Sequence, residues 1–526
     1  MHLKGVKMSR NKIAIVDFGG QYVRLIAKKI RGLGVYCEIV SPEKETDYFR
    51  SSSVQGIILS GGPASVSEES APRPVREIFQ MEKPVLGICY GMQLIADIFP
   101  GGRVADESFS EYGRSELELL AASPLLDDIT GEGEASDDLQ VWMSHGDSVL
   151  EAPRDFTVLA RTEDVPVAAM AREDRQIYGV QFHPEVSHTS RGEKLLASFV
   201  FQICGMKANW QTDDIVAERI EKIQGQLGPE EEVLIGLSGG VDSTVTAALL
   251  EQALGDRVTG IFIDHGLLRE GEFEEVKGQF SEIFDFPIYC LDASRRFLSR
   301  LKGVVDPEEK RNIIGEEFIS VFELKARELE DVSYLAQGTI YSDVIESGLD
   351  QNAAMIKSHH NVGGLPQRME LDLLEPLREL FKDEVRKIGL ELGLPQEFIW
   401  RQPFPGPGLA IRIIGELTEE KLAILRRADR ILQEELEGLD SKQEIWQAFA
   451  VLPDMKTVGV EGDSRTYGYP VVIRAVDSEE AMTADWIRLP YDVLDRIAGR
   501  IVSEVEEVSR VVYDISSKPP ATIEWE

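Results

Sequence analysis

The stretch "PVLGICYGMQLIADIF" (residues 84–99) places a short apolar run directly before a cysteine flanked by glycines, and a helix-like segment follows. This order predicts a strand, a sharp turn and a helix. Gly87 and Gly91 would permit the tight turn, because glycine adopts backbone conformations that other residues avoid. The positive end of the following helix would favour the thiolate of Cys89, making it a nucleophile. Alternatively, Cys89 is a small side chain packed beneath that helix.

The strand-then-glycine pattern recurs at 56–63 and 231–244, and short apolar runs alternate with amphipathic stretches between them. Such alternation is typical of layered α/β domains with parallel sheets. The polar stretch 204–214 has the composition of a linker, and the proline- and glycine-rich stretch 401–412 indicates a second boundary. The tail alternates strand-like and helical pieces, which predicts a small α+β domain. The sequence therefore predicts three domains, at 11–205, 206–401 and 402–526.

Composition excludes several classes of protein. The chain has 526 residues, of which 43% are hydrophobic and 28% charged, and no apolar run is long enough to cross a membrane. The basic, polar start lacks the pattern of a signal peptide, so we expect a cytoplasmic protein. A net charge of −36 argues against nucleic acid or an anionic membrane as a partner, since both would be repelled. The four cysteines form no C-x-x-C pair, which argues against a zinc site or a disulfide framework.

A second motif, "FHPE" (182–185), bears on the role of Cys89. In an extended segment, residues two apart face the same way, so His183 and Glu185 would share one face. A carboxylate beside an imidazole can fix its tautomer and stabilise the imidazolium, as the third member of a catalytic triad does. The pair therefore favours the nucleophile interpretation of Cys89.

Four stretches in this order, "LSGGP" (59–63), "GICYGMQ" (87–93), "SHGD" (144–147) and "GVQFHPEV" (179–186), resemble the class I glutamine amidotransferase family. The resemblance implies that Cys89 attacks the glutamine carboxamide, His183 relays the proton and Glu185 orients His183. It also implies an oxyanion and glutamine-binding pocket formed by Gly62, Tyr90, Gln93, Ser144, His145 and Asp147. Glutaminases of this kind produce ammonia for a second reaction.

The stretch "SGGVDST" (238–244) follows a predicted strand and precedes a predicted helix. The backbone N–H groups of such a turn can cradle phosphate, although an ordinary strand-to-helix loop is the alternative. The stretch resembles the loop of the ATP pyrophosphatase family, which holds the phosphates of ATP during adenylation of an acceptor. The resemblance implies ATP as a substrate and Mg²⁺ with it, Asp242 being a candidate ligand. The residues that carry the match are Ser238, Gly239, Gly240, Val241, Asp242 and Ser243.

Further stretches resemble the glutamine-hydrolysing GMP synthase family over nearly the whole chain; they lie at 306–318, 335–347, 356–366, 381–395, 401–412 and 510–526. The resemblance implies an α/β architecture of a class I amidotransferase domain, a doubly wound ATP pyrophosphatase domain and a small C-terminal α+β dimerisation domain. It implies glutamine, xanthosine 5′-monophosphate and ATP as substrates, and a homodimer. Lys382 would contact nucleotide phosphate. The candidate acceptor-binding residues are Arg311, Arg465, Lys518 and Glu524.

Other readings stay open at this point. The same ammonia and adenylation chemistry could serve another acceptor, such as nicotinic acid adenine dinucleotide. A tRNA-modifying enzyme would carry basic patches and additional reactive cysteines, and a non-catalytic sensor would not need an intact triad. Ser464 stands where the resemblance leads us to expect glycine, which puts the turn beside Arg465 in question. The stretch 305–318, between two predicted strands, is interpreted as a lid or loop that closes over ATP and acceptor.

Overall fold

The computed structural model of the chain describes residues 10–105, 111–129, 139–329, 332–344, 371–437, 439, 445–478 and 483–526. The stretch 356–366 and the last three residues of 335–347 lie outside the described residues. The chain divides into two compact units, residues 1–211 and 212–526. The division falls within the linker-like stretch 204–214. In the part of the chain that the structure describes, no helix is long and apolar enough to span a membrane.

The first unit is built of strands and helices in alternation. Its strands are β1 Lys12–Val16, β2 Cys37–Val40, β3 Val54–Leu59, β4 Val85–Ile88, β5 Arg103–Ala105, β6 Glu111–Glu116, β7 Glu118–Leu119, β8 Gln140–His145, β9 Ser148–Glu151, β10 Thr157–Arg161, β11 Ala169–Arg172 and β12 Ile177–Val180. Its helices are α1 Val23–Gly32, α2 Thr46–Arg50, α3 Tyr90–Ile98 and α4 Gly192–Ala197, with 3₁₀ turns at Arg76–Gln80, Asp127–Ile129 and Glu173–Arg175 and a π-helical turn at Ser198–Ile203.

Among the described residues, eight of these strands form one mixed sheet in the order β2-β1-β3-β4-β12-β11-β10-β7. The strands from β2 to β12 in this order are parallel, and those beyond β12 are antiparallel. The central strands are buried apolar runs, as expected for a sheet covered on both faces. Since β3, β4 and β12 are neighbouring and parallel, the segments that follow them meet at one edge of the sheet. That edge gathers residues 60–62, Cys89 and residues 181–185.

The second unit contains the remaining elements. Its strands are β13 Glu232–Leu237, β14 Val258–Asp264, β15 Ile288–Asp292, β16 Val332–Ala336, β17 Asp372–Leu374, β18 Ile413–Ile414, β19 Gln447–Pro453, β20 Thr457–Glu461, β21 Ser464–Asp477, β22 Asp485–Trp486 and β23 Val508–Tyr513. Its helices are α5 Thr212–Gln226, α6 Val241–Leu254, α7 Glu272–Ile283, α8 Ser294–Leu301, α9 Pro307–Ala326, α10 Lys382–Glu391, α11 Gln396–Ile399, α12 Glu419–Glu437 and α13 Tyr491–Glu504, with 3₁₀ turns at Gly255–Arg257 and Gly408–Arg412.

Two sheets organise the second unit. The parallel sheet has the order β15-β14-β13-β16-β17, so the chain moves outward from β13 in both directions. This is the predicted doubly wound arrangement, and the carboxyl end of β13 is its switch point, where ligands bind in such folds. The other sheet, β18-β19-β21-β20 with β22 and β23 on β21, packs against α12 and α13. The predicted small α+β domain is thereby confirmed in its secondary structure.

The interpretation of 305–318 as a loop is wrong, because the structure places most of this stretch in α9. Asp306 caps the helix by accepting a hydrogen bond from the Glu309 N–H at 2.9 Å, and Pro307 occupies its first turn. Both features are signals of a helix start. Ile314, Val321 and Phe322 bury one side of the helix in the core.

Candidate active sites in the two units

The turn at Cys89 is strained at the cysteine itself. Cys89 lies between β4 and α3 with φ 50° and ψ −107°, an unusual conformation for a residue with a side chain. The flanking glycines supply space: a Cβ on Gly87 would lie 2.6 Å from the Gly91 carbonyl, and one on Gly91 would lie 2.3 Å from the Leu59 carbonyl oxygen. The predicted sharp turn is therefore present, with Cys89 presented at the sheet edge and only 5% exposed.

His183 and Glu185 lie beside this turn. Their side chains are in contact, with His183 Nδ1 2.7 Å from Glu185 Oε1, and both are buried. A Cβ on Gly61 would lie 3.1 Å from His183 Cε1 and 3.7 Å from Cys89 Cβ, so Gly61 fits between the imidazole and the cysteine. Because Nδ1 is occupied by Glu185, Nε2 is the ring nitrogen left for the thiol. The structure thus brings the three predicted triad residues together.

The "FHPE" segment is not extended, contrary to the reasoning from sequence. Strand β12 ends at Val180, and residues 181–185 form bends and a turn. The bend is held by the His183 N–H, which donates to the Trp142 carbonyl at 3.0 Å, and by Thr189 Oγ1, which donates to the His183 carbonyl at 2.5 Å. The contact between His183 and Glu185 arises from this turn rather than from strand alternation.

The electrostatics favour a protonated imidazole. Burial alone would lower the pKa of His183, but the Glu185 carboxylate and the hydrogen bond with Cys89 outweigh it and hold the pKa well above its usual value. The nearby His145 behaves in the opposite way: burial lowers its pKa to about 4, assisted by the charge of His183. One histidine of the site is therefore arranged to carry a proton, and the other is neutral near pH 7.

The remaining predicted pocket residues surround the same edge. Gln93 donates through Nε2 to the Asp147 carbonyl at 2.8 Å, and the Asp147 carboxylate accepts from Ser65 Oγ at 2.6 Å. The Ser144 carbonyl lies 3.8 Å from Cys89 Sγ. Tyr90 is the first residue of α3, so its amide N–H has no helical carbonyl to bind.

Gly62 packs against Phe18 and Tyr90. A Cβ on Gly62 would lie 2.8 Å from the Phe18 carbonyl oxygen and 3.3 Å from the Tyr90 ring. The structure thus places Ser144 and Tyr90 next to Cys89, Gly62 against Tyr90, and Gln93 against Asp147.

Two residues at this site were missed by the sequence reasoning. Gln181 is fully buried, and its Nε2 lies 3.8 Å from Cys89 Sγ. It belongs to the quoted stretch "GVQFHPEV", so its position directly before the motif was an available signal. The ring of Tyr22 meets that of His183 edge to face, with centroids 4.9 Å apart. No pattern in the sequence connects Tyr22 with His183.

The second candidate site lies at the switch point of the parallel sheet. The predicted loop joins β13 to α6, with Gly239 in the left-handed region at φ 76°. The hydroxyls of Ser238 and Ser243 are 3.1 Å apart, and the Gly240 N–H donates to Ser238 Oγ at 3.3 Å. The loop thus places a helix N-terminus, glycine backbone and two hydroxyls together, as phosphate binding requires.

Lys382 reaches this loop although it is 140 residues away in sequence. Its ammonium group forms an ion pair with Asp242 Oδ2 at 2.5 Å. The other carboxylate oxygen, Asp242 Oδ1, is buried without a hydrogen-bond partner among the described residues. Arg401, which the sequence reasoning missed, donates to the Gly239 carbonyl at 3.1 Å and pairs with Glu272.

The four candidate acceptor-binding residues occupy different settings. Arg311 donates to the Glu308 carboxylate and to the backbone oxygen of Glu526. Glu524 is engaged by Arg412, whose Nη2 and Nε lie 2.9 and 3.2 Å from its two oxygens. Lys518 is half-buried and pairs through its backbone with Ala484.

Arg465 is exposed beside the turn between β20 and β21, opposite Val460. Ser464 has strand conformation and pairs with Glu461, whereas Gly462 in the turn takes φ 57°. The glycine that adopts the left-handed conformation in this turn is therefore Gly462, and serine is compatible with the strand conformation at position 464.

Three fully buried cations hold the segment 514–526, and the sequence reasoning had not singled them out. Arg412 binds Glu524, Lys310 binds Glu526, and Arg474 donates to the carbonyls of residues 516, 522 and 523. Each of the three side chains is 0% exposed. Buried charges need such partners, so these pairs fix the position of the segment that carries Lys518 and Glu524.

Known proteins resemble this chain over its whole length. Three family models match: glutamine amidotransferase class-I at residues 14–203, NAD synthase at 214–281 and GMP synthase C terminal domain at 434–525. The relatives include "GMP synthase [glutamine-hydrolyzing]" of Halothermothrix orenii, 54% identical over 519 residues that cover 99% of this chain and 100% of the relative. Proteins of the same name from Caldicellulosiruptor saccharolyticus and Carboxydothermus hydrogenoformans are 54% and 53% identical, over 99% and 98% of this chain and 100% of each relative. The chain therefore belongs to the glutamine-hydrolysing GMP synthase family.

Proposed function

We propose that this protein converts xanthosine 5′-monophosphate, ATP and glutamine into GMP, AMP, pyrophosphate and glutamate. The main observation behind this proposal is that one chain combines a Cys–His–Glu arrangement with a phosphate loop at a sheet switch point. The chain is also 54% identical, over the relative's full length, to a protein named as a glutamine-hydrolysing GMP synthase. An acceptor such as nicotinic acid adenine dinucleotide is not favoured, because the match at 434–525 is to the GMP synthase C terminal domain.

In the glutaminase half, Cys89 is the nucleophile. His183 takes the thiol proton on Nε2, supported by Glu185 at Nδ1, and the thiolate attacks the carboxamide carbon of glutamine. The backbone N–H groups near Gly62 and Tyr90 stabilise the oxyanion. The protonated His183 then gives its proton to the carboxamide nitrogen, which leaves as ammonia when the C–N bond breaks. Water then hydrolyses the thioester, releasing glutamate and restoring the Cys89 thiol. The raised pKa of His183 favours its acceptance of the thiol proton.

In the synthetase half, the loop 238–243 holds the phosphates of ATP. The C2 oxygen of xanthosine 5′-monophosphate attacks the α-phosphate and pyrophosphate leaves; ammonia then attacks C2 and displaces AMP. Because Lys382 is paired with Asp242 of this loop, its ammonium group is close enough to contact a phosphate bound there. Arg311, Arg465, Lys518 and Glu524 are proposed to bind the acceptor nucleotide, and the domain limits 11–205, 206–401 and 402–526 are proposed with them.

Magnesium is proposed to accompany ATP. Asp242 fits this role, because its buried Oδ1 has no partner among the described residues and carboxylate oxygen is the ligand that Mg²⁺ prefers. The described residues contain no cluster of three or more potential metal ligands. This agrees with a site of one carboxylate completed by substrate phosphates and water, the usual pattern for Mg²⁺ with a nucleotide. Bound there, the ion would neutralise phosphate charge.

A cytoplasmic homodimer formed through the C-terminal sheet is proposed as the working form. Support comes from exposed apolar side chains on paired strands: Val458 lies opposite Tyr467, and Val460 follows on the same strand, with exposures of 49, 63 and 77%. Such a patch on a sheet commonly marks an interface. Sedimentation velocity at micromolar concentration tests the assembly, and a monomer would contradict it.

The division of labour is tested with Cys89→Ala. We expect glutamine-dependent GMP formation to fall by at least about 1000-fold, because the nucleophile is gone. GMP formation from added ammonium should remain, because the phosphate loop is untouched. Cys290→Ala, at a half-buried cysteine in the second unit, is the matched control and should retain both activities. Equal loss of both activities in Cys89→Ala would refute the proposal.

A further inference from the structure

Gln181 is placed against the sulfur of Cys89 by its backbone. It directly follows β12, its N–H donates to the Ala168 carbonyl at 2.8 Å, and the preceding Val180 carbonyl accepts the Cys89 N–H at 2.8 Å. The side chain is 0% exposed, and its Nε2 lies 3.8 Å from Cys89 Sγ. The two residues are thus fixed next to each other by neighbouring backbone hydrogen bonds.

The chemistry of this contact depends on the charge of the sulfur. An amide N–H is a donor, and a thiolate accepts it more strongly than a neutral thiol does. The Ser144 carbonyl, also 3.8 Å from Sγ, can only accept, so it binds the neutral S–H form. A hydrogen bond to the charged form lowers a pKa, and one to the neutral form raises it. Gln181 therefore favours the thiolate, and Ser144 favours the thiol.

The amide is costly to the fold. Gln181 Oε1 is buried without a hydrogen-bond partner among the described residues. Burying an unpaired carbonyl is unfavourable, and an apolar side chain of similar size would avoid this cost. A residue kept only for packing would not need an amide here, whereas a donor to the thiolate does.

We propose that Gln181 is a catalytic residue of the glutaminase half-reaction, its Nε2–H donating to the Cys89 thiolate. The inference rests on the proposed function. When His183 Nε2 takes the thiol proton, the S–H bond breaks and negative charge appears on Sγ. His183 stabilises that charge only while it is protonated, whereas the amide of Gln181 does not titrate. Gln181 therefore holds the thiolate in place independently of the proton on His183.

The test is Gln181→Leu in the full-length protein, read by the pH dependence of Cys89 alkylation with iodoacetamide, followed by mass spectrometry of the Cys89 peptide. We expect alkylation of Cys89 at neutral pH to slow by about tenfold, because a hydrogen bond that stabilises the thiolate has been removed. The kcat for glutamine hydrolysis should fall about tenfold or more. GMP formation from ammonium should be unchanged, and Tm should be unchanged or higher.

Gln202→Leu is the matched control, because Gln202 also donates its amide, to Asp128, but on the exposed surface. It should leave the alkylation profile unchanged. Should the leucine variant be insoluble, Gln181→Met carries the same test. An unchanged alkylation profile, or a lower Tm with equal loss of both activities, overturns the inference. If Cys89→Ala abolishes glutamine-dependent activity while Gln181→Leu does not slow it, only this inference fails and the proposed function stands.

Discussion

The two candidate sites differ in how their polar and charged side chains are paired with other side chains of the protein. Around Cys89, buried polar atoms lack hydrogen-bond partners among the described residues: His145 Nε2, Gln181 Oε1 and Glu185 Oε2. In the second unit, the cations near the proposed nucleotide sites are bound by internal carboxylates, as in the pairs Lys382–Asp242 and Arg412–Glu524. At the second site Asp242 Oδ1 also lacks a partner among the described residues, so the difference lies in the charges: the cations of the second site are already paired with carboxylates.

The difference follows from the charge of each substrate. Glutamine reacts at a neutral carboxamide, so a buried site with free polar atoms can accept it without exchanging ion pairs. Nucleotide phosphates are anionic, and in a chain of net charge −36 each cation has many carboxylates available as partners. A phosphate entering the second site must compete with Asp242 for Lys382. Substitutions at the first site should therefore act by displacing the reacting groups. Substitutions at the second site should act by leaving a charged side chain without its partner.

Among variants that leave the triad residues unchanged, the largest effect is expected from Gly91→Ala, because it changes both stability and catalysis. Its Cβ would lie 2.3 Å from the Leu59 carbonyl oxygen, so backbone must move at the turn that presents Cys89. We expect a destabilisation of about 3 kcal/mol and a loss of about 100-fold in glutamine-dependent kcat, since small displacements of reacting groups are costly. Chemical denaturation and glutaminase assays measure the two effects.

Gly32→Ala is the control for this prediction. Gly32 ends α1, and a Cβ there would meet no atom within 4 Å. It should keep both stability and activity. Normal glutaminase activity in Gly91→Ala would mean that the close packing of the turn is not needed to position Cys89.

The same turn shows what the sequence could and could not predict. The order of strand, glycine, cysteine and helix predicted the turn, because these signals are local. It did not predict that Cys89 rather than a glycine would take the positive φ, since that depends on the packing of Gly87 and Gly91. The contact of His183 with Glu185 was predicted, but from an extended segment that proved to be a turn.

Contacts between distant parts of the chain were beyond the sequence reasoning. Arg412 and Glu524 are 112 residues apart, and Lys310 and Glu526 are 216 apart. In isolation each would be taken for a solvated charge, because buried lysine and arginine are rare. Only the folded second unit shows that they are paired in the interior. The role of Glu524 is therefore open to two explanations, support of the fold or contact with the acceptor.

Glu524→Gln separates these explanations and has the next largest expected effect. Arg412 is 0% exposed, so losing the carboxylate leaves a buried cation with its charge uncompensated. We expect the second unit to be destabilised by about 3 kcal/mol, as for other buried pairs that lose one partner. Denaturant unfolding measures this change, and ammonium-dependent kinetics measure the KM for xanthosine 5′-monophosphate.

The exposed pair of Glu118 with Arg161 provides the control for Glu524→Gln. It has similar two-point geometry, at 2.8 and 2.9 Å, but is open to water. Glu118→Gln should therefore leave stability unchanged, because solvent screens such pairs. A raised KM in Glu524→Gln with unchanged stability would instead make Glu524 a ligand of the acceptor and weaken the contrast between the sites.

The smallest expected effect concerns the neutral histidine of the first site. Burial lowers the pKa of His145 to about 4, whereas an unfolded histidine titrates near 6.5. The unfolded chain therefore binds more protons between these values, so the contribution of His145 to stability is full above pH 6.5 and is lost as pH falls toward 4. His183, with its raised pKa, contributes in the opposite sense: its stabilisation is full below pH 6.5 and lost as pH rises through its folded value.

We expect the titration of His145 to lower the free energy of unfolding by about 1 kcal/mol as pH falls from 6.5 to 5.5. Denaturant unfolding at the two pH values should show that loss in the wild type and not in His145→Asn. His188→Asn, at an exposed histidine, should keep the wild-type dependence. An identical pH dependence in His145→Asn and the wild type would mean that burial does not oppose protonation of His145, which would contradict a neutral histidine at the first site.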